Sequence, residues 1–233
     1  FMAGWGSRSK YPLLGALRSV AQVVAYEVPM VLCLVSVAMI AGSLSTSGIV
    51  HAQADRWFVT TPWGFAAFLI FMLCGLAEVN RTPFDLAEAE SELVGGFHTE
   101  YSGMKFALFY MAEFLGSFAI GLLGATLFFG GWLGPVLPGP VWLILKAYLW
   151  LFVMIWIRGT WPRFRIDQLL SFAWKLLLPM SMTTVLAAGI WYYAPYPWGT
   201  FGAIVLLVGM FFLTSQLWAS SSGGLESGAK SEA

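Results

Sequence analysis

Charge is scarce in this sequence, and cysteine is nearly absent. Only 10% of its 233 residues are Asp, Glu, Lys or Arg, where a soluble domain carries roughly 25%. That scarcity excludes a disordered chain and an ordinary water-soluble domain. The two cysteines, Cys33 and Cys74, lie in apolar runs with no His or Cys at metal-ligand spacing. They read as small buried hydrophobes, and a disulfide-stapled fold is excluded. There is no Walker loop, no Gly-x-Gly-x-x-Gly and no cysteine cluster, so no nucleotide, flavin, metal or iron–sulfur site is visible. Twelve basic residues balance twelve acidic ones, and no polybasic surface offers itself to nucleic acid. No charged segment precedes a short apolar core, so no signal peptide is expected. With Phe1 in first place, the sequence is expected to begin partway along a longer protein.

What the chain has in abundance is apolar surface. Hydrophobic residues make up 59% of it, including 12 Trp and 19 Phe. This predicts an all-α, polytopic membrane helix bundle in a single membrane domain, 1–218. A bilayer core of about 30 Å needs about 20 apolar helical residues. Six stretches meet that need: 20–42, 63–80, 104–129, 140–158, 173–193 and 198–218. The polar, Ser/Gly-rich tail 219–233 is expected to be disordered.

Loop charges predict the orientation. Arg8, Lys10, Arg18, Arg81, Arg163, Arg165 and Lys230 fall on one side, and Arg56 alone on the other. The Arg-rich side is therefore expected to be cytoplasmic, with both ends of this chain facing it. The Trp132–Pro135 and Tyr196–Trp198 clusters suit turns at the outer interface.

Half of the acidic residues fall between Glu78 and Glu100: Glu78, Asp85, Glu88, Glu90, Glu92 and Glu100, opposed only by Arg81. Thr82, Pro83 and Asp85 read as N-cap, N1 and N3 of a short helix, Pro83 to Val94, closed by Gly95 and Gly96. On such a helix Asp85, Glu88 and Glu92 share a face about 60° wide, and Glu90 points elsewhere. A solvated acidic loop is one reading. The interleaved Phe84, Leu86, Leu93, Val94 and Phe97 instead favour a packed helix. Desolvated, mutually repelling carboxylates hold protons near neutral pH, which favours a proton relay.

Two further acids interrupt the spans, Glu27 and Glu113. Each is either a structural ion pair or part of a function, and an intramembrane ionisable group suggests function by default. With Glu78 they converge at the depth of the acidic loop, which predicts a polar cavity open to the cytoplasmic face. Arg18, Gln22 and Tyr26 form an i, i+4 stripe beside Glu27. Lys146, near the outer end of its span, is expected to snorkel, an interior proton-path lysine being the alternative. His51 and His98 have no metal-ligand companions, and His98 in the acidic cluster is either a plain loop residue or a titrating one.

The run Ala77-Glu78-Val-Asn80-Arg81-Thr-Pro83-Phe84-Asp85-Leu-Ala-Glu88-Ala-Glu90-Ser-Glu92-Leu-Val94, continuing to Glu100-Tyr101, strongly resembles the signature of subunit 1 of respiratory complex I, the H subunit of the bacterial enzyme. Ser9–Glu27, Phe106–Glu113 and Arg158–Gln168 resemble the same family in the same order. The family's opening helices, which would precede Phe1, are absent from the sequence, and the span 198–218 lies beyond the end of many members.

The resemblance implies a membrane subunit of a proton-translocating NADH:quinone oxidoreductase. Its substrate would be a quinone, ubiquinone or menaquinone, held in a chamber shared with partner subunits. The subunit would carry no redox centre, no metal and no complete active site of its own. Implied partners are the quinone-pocket and iron–sulfur subunits of the peripheral arm, and the small and antiporter-like subunits of the membrane arm. The implied location is a bacterial inner membrane. Glu27, Glu78, Asp85, Glu88, Glu90, Glu92, Glu100 and Glu113 match the family's quinone chamber and acidic channel. Arg18, Gln22, Tyr26, Arg81, Arg158, Arg163, Arg165 and Asp167 match supporting positions. The rival readings are the homologous anchor of a membrane-bound hydrogenase-type complex, a proton-coupled secondary transporter and a purely structural anchor. A transporter predicts inverted repeats or paired broken helices, which the sequence lacks.

Overall fold

The computed structural model describes residues 1–85, 96–135, 137–195 and 197–231, the last from 217 onward by backbone alone. Among them there are helices and turns and no strand. The order is α1 (Met2–Gly6), α2 (Lys10–Ala41), α3 (Thr46–Ala52), α4 (Pro62–Glu78), α5 (Met104–Phe128), α6 (Gly139–Thr160), α7 (Ile166–Phe172), α8 (Leu178–Tyr193) and α9 (Trp198–Ser231). Short 3-10 turns cover Phe58–Thr60 and Gly96–His98. Five helical stretches are long and apolar enough to cross a membrane: α2, α5, α6, the continuous Ile166–Tyr193 and Trp198–Gln216 of α9. The sixth, α4, has 17 residues, at the short end of what spans a bilayer. Apolar side chains occur all round these helices rather than in one stripe, as expected where the solvent is lipid.

Helix α2 packs against α4 and α8, α8 against α9, and α5 against α6. The centre of the bundle is aromatic: Phe68, Phe71 and Phe128 meet Trp150 or one another with centroids 5.5–5.9 Å apart. Glycine allows the close approach of α5 to α6. A Cβ on Gly124 would lie 2.8 Å from the Trp150 ring, so any larger residue would force the two helices apart.

Several boundaries differ from the sequence expectation. The helix of the fifth span begins at Ile166, well before 173, because Gln168 turns back to accept from the Arg165 amide at 3.4 Å, as in a capping box. It passes through a π-helical turn, Ala173–Leu177, just before Pro179. Proline removes an N–H and clashes with the carbonyl four residues earlier, and the wider turn absorbs both. Helix α9 likewise continues beyond 218 to Ser231, since no proline interrupts it and each added residue extends a nucleus already formed.

Lys146 does not snorkel. It is 8% exposed, and its ammonium donates to the carbonyls of Phe129, Gly131 and Leu133 at 2.6, 2.8 and 2.8 Å. Trp57 and Trp142 present their rings to it at 4.8 and 5.6 Å. The three carbonyls belong to the turn after α5, where a helix leaves acceptors unsatisfied and favours a cation. Gln53 completes this end, donating to the carbonyls of Ile49 and Thr126 and accepting from the amides of Phe58 and Gly130. Replacing Lys146 by Met strands three acceptors. It should cost about 3 kcal/mol, read as a clear fall in the thermal midpoint of the assembled protein. An unchanged midpoint would contradict this account of the lysine.

Candidate functional site

The predicted site residues gather where α4 leaves the bundle. Helix α4 ends at Glu78, and Asn80 adopts a left-handed φ of 52°, a conformation that asparagine tolerates better than most residues. The chain then turns: the Phe84 amide donates to the Arg81 carbonyl at 2.8 Å, and the Phe164 amide to the Pro83 carbonyl at 3.3 Å. Gln22, 1% exposed, reaches across from α2 and donates to the carbonyls of Ala77 and Phe84, both at 2.8 Å, with Asn80 Oδ1 at 3.4 Å. Residues 82–84 therefore form a turn, not the N-cap and first turn of a helix. The Pro83 carbonyl accepts from the Phe164 amide and the Phe84 carbonyl from Gln22. The remainder of the expected helix, with Glu88, Glu90 and Glu92, lies outside the described residues.

Phe84 is the apolar centre of this junction. Its ring meets Tyr26 edge-on at 5.4 Å and Phe164 at 5.8 Å. The Tyr26 hydroxyl donates to the Leu169 carbonyl at 3.1 Å, joining α2 to α7. Beside these rings lies a cavity of about 160 Å³ lined by Tyr26, Phe84, Phe164, Gln168, Leu169 and Phe172.

The charged groups surround the junction. Arg81 Nη2 lies 3.8 Å from Glu113 Oε2, both side chains mostly buried, and the guanidinium stacks on Phe114 at 4.4 Å. Asp85 pairs with Arg163 at 3.5 Å, and Arg163 also donates to the Asp85 carbonyl. Glu27 and Glu78 lie close enough for their charges to act on one another. Glu27 is on the outward face of α2, on the side of Val20, Val24, Val28 and Val31. Arg18 is half-buried on α2, whereas Arg158, Arg165, Asp167 and Glu100 are exposed. Among the described residues no group of three or more His, Cys, Asp and Glu is placed to hold a metal ion.

Thus the structure brings Gln22, Tyr26, Glu78, Arg81, Asp85, Glu113 and Arg163 to one end of the bundle. Sequence reasoning missed Phe84, Phe164 and Leu169 as their common support. A signal existed in Phe84, a large aromatic placed between Pro83 and Asp85 in the most polar stretch of the chain. Tyr26→Phe keeps the ring contact and loses one hydrogen bond, so it should cost about 1 kcal/mol. Tyr26→Ala also loses the ring and should cost about 3–5 kcal/mol. Equal losses in a thermal or chemical melt of the assembled protein would contradict this division.

The family described as NADH dehydrogenase matches residues 1–189. The H subunit of NADH-quinone oxidoreductase from Dehalococcoides mccartyi (strain ATCC BAA-2266 / KCTC 15142 / 195) is 51% identical over 185 residues, covering 79% of this chain and 52% of that protein. The protein of the same name from Brevibacillus brevis is 50% identical over 194 residues, covering 81% and 57%. Its namesake from Geobacillus kaustophilus is 49% identical over 195 residues, covering 80% and 57%. The chain spans about half the length of the curated relatives it matches.

Proposed function

The chain belongs to the NADH dehydrogenase family, and from that premise we propose that this integral membrane protein is a complex I subunit that walls part of a quinone chamber and passes protons through its acids. The observation that carries the reading is the junction at the end of α4. Gln22 holds the Phe84 carbonyl beside an aromatic cavity and, with the same amide, the Ala77 carbonyl next to Glu78. A substrate that displaces Phe84 thereby moves the backbone of Glu78 and Asp85. The quinone takes up two electrons and two protons on reduction to quinol, the electrons arriving through partner subunits.

This chain's own contribution is to hold protons. Glu78 and Glu27 place two like charges near one another where α4 ends, and we take them as the start of the proton path. Arg81 holds Glu113, and Arg163 holds Asp85. Each is a contact that a shift of the loop strengthens or breaks. Glu88, Glu90, Glu92 and Glu100 would extend the path, with Arg18, Arg158, Arg165 and Asp167 at its docking surface.

The outward position of Glu27 supports a protein partner there. A charge facing lipid costs about 2.5–3.5 kcal/mol by insertion scales, and a neighbouring subunit or a water-filled passage removes that cost. We place the Arg-rich end in the cytoplasm, against the peripheral arm, and the whole in a bacterial inner membrane.

Glu27→Gln, Glu78→Gln and Glu113→Gln should each lower quinone reduction and proton transfer at least about tenfold while leaving assembly intact. Assembled variants with full activity would leave the anchor reading. Co-purification with a nickel–iron hydrogenase subunit in place of a flavin subunit would favour the hydrogenase-type relative.

A further inference from the structure

The turn after α5 is built around a cation. Its backbone passes through two left-handed glycines, Gly130 and Gly131, at φ 69° and 50°, a conformation that a side chain resists. The carbonyls of Phe129, Gly131 and Leu133 all reach the Lys146 ammonium, at 2.6, 2.8 and 2.8 Å. The turn also has supports of its own. The Gly131 amide donates to the Ala125 carbonyl and the Leu133 amide to the Gly130 carbonyl, both at 2.9 Å. Gln53 accepts from the Gly130 amide and donates to the Thr126 carbonyl, both at 3.0 Å. None of these bonds involves the lysine, so the acceptors are held in place without it. Lys146 comes from α6 and also lines a cavity of about 60 Å³, with Phe68, Met72, Ala125, Leu149 and Trp150.

We infer that this turn is a binding site for a primary ammonium ion, which the native chain supplies as a tethered ligand, Lys146. Three oxygens meet the three N–H donors of an ammonium head one for one, at the distances of charge-assisted hydrogen bonds. Trp57 and Trp142, at 4.8 and 5.6 Å, add two rings whose faces attract a cation. Guanidinium is planar and spreads five donors, so it matches this set poorly. Tetramethylammonium suits the rings but offers the oxygens no donor. The site is enclosed by this chain itself, Lys146 being 8% exposed. It lies beyond the far end of α5 from Glu113 and shares no residue with the proposed chamber. What the turn requires is the charged head, and the bond that ties the head to α6 is not needed for binding.

The test uses Lys146→Ala in the assembled complex and reads hydrogen exchange at the amides of Gly131 and Leu133. With no amine added, both should exchange at least about tenfold faster than in the native protein, because three buried acceptors have lost their donor. n-Propylammonium has the carbons and the head that the substitution removes. It should slow exchange again, saturably, toward the native rate. Methylammonium should do so more weakly, and guanidinium and tetramethylammonium not at all. The native protein, whose site is filled, should respond to none of them. Lys146→Met occupies the place of the stem without the head, and should exchange fast with or without the amine. If Lys146→Ala does not assemble, the yield of complex recovered with each ion in the growth medium reads the same site in the same order. No recovery by n-propylammonium in either measurement would overturn the inference. So would equal recovery by tetramethylammonium, which would make the effect one of ionic strength rather than of a site.

Discussion

The side-chain amide of Gln22 is the interaction on which the functional end of the molecule depends. Where a chain leaves a membrane helix, its last carbonyls lack helical partners and have little water to turn to. Gln22 takes one of them, from Ala77, and with the same nitrogen the carbonyl of Phe84 in the turn beyond. That single contact fixes the path of residues 78–84 against α2. It seats Phe84 between Tyr26 and Phe164, and it sets the direction from which Asp85 meets Arg163. A neutral amide thus holds the backbone beside Glu78 and Asp85.

The opposite end solves the same problem with different residues. Lys146 satisfies three carbonyls after α5, and Gln53 secures the amides and carbonyls around them. These contacts are buried and short, so the α5–α6 pair is fastened there. At the Arg-rich end α5 carries a 3.8 Å ion pair and a ring stacked under Arg81, and its Phe106, Phe109 and Tyr110 meet the rings of Phe97, His98 and Tyr101. Glu113 stands at this second end, facing Arg81.

The spans were readable because 20-residue apolar runs admit few other readings. The gathering of Glu78, Asp85, Arg81 and Arg163 at one end followed from topology, since 81–103 and 159–172 emerge on the same side. The turn at Thr82–Phe84 was not readable. A capping pattern describes local preference, whereas here the carbonyls were claimed by Gln22 and by the Phe164 amide, residues distant in sequence. Lys146 escaped for a similar reason. A lone lysine near a helix end resembles a snorkelling one until the following turn is seen to fold its carbonyls back over it.

The claim that Gln22 holds the acid-bearing turn is tested most directly by hydrogen exchange at the amides of Arg81, Phe84 and Phe164 in the assembled complex, comparing the native protein with Gln22→Leu. Losing two buried hydrogen bonds costs about 2 kcal/mol, equivalent to roughly a thirtyfold rise in local opening. Exchange at Phe84 and Phe164 should therefore accelerate by about that factor, with the amides of the Lys146 cage unchanged. Equal exchange at Phe84 and Phe164 in the two proteins would show that the turn holds its place without Gln22, and would contradict the account.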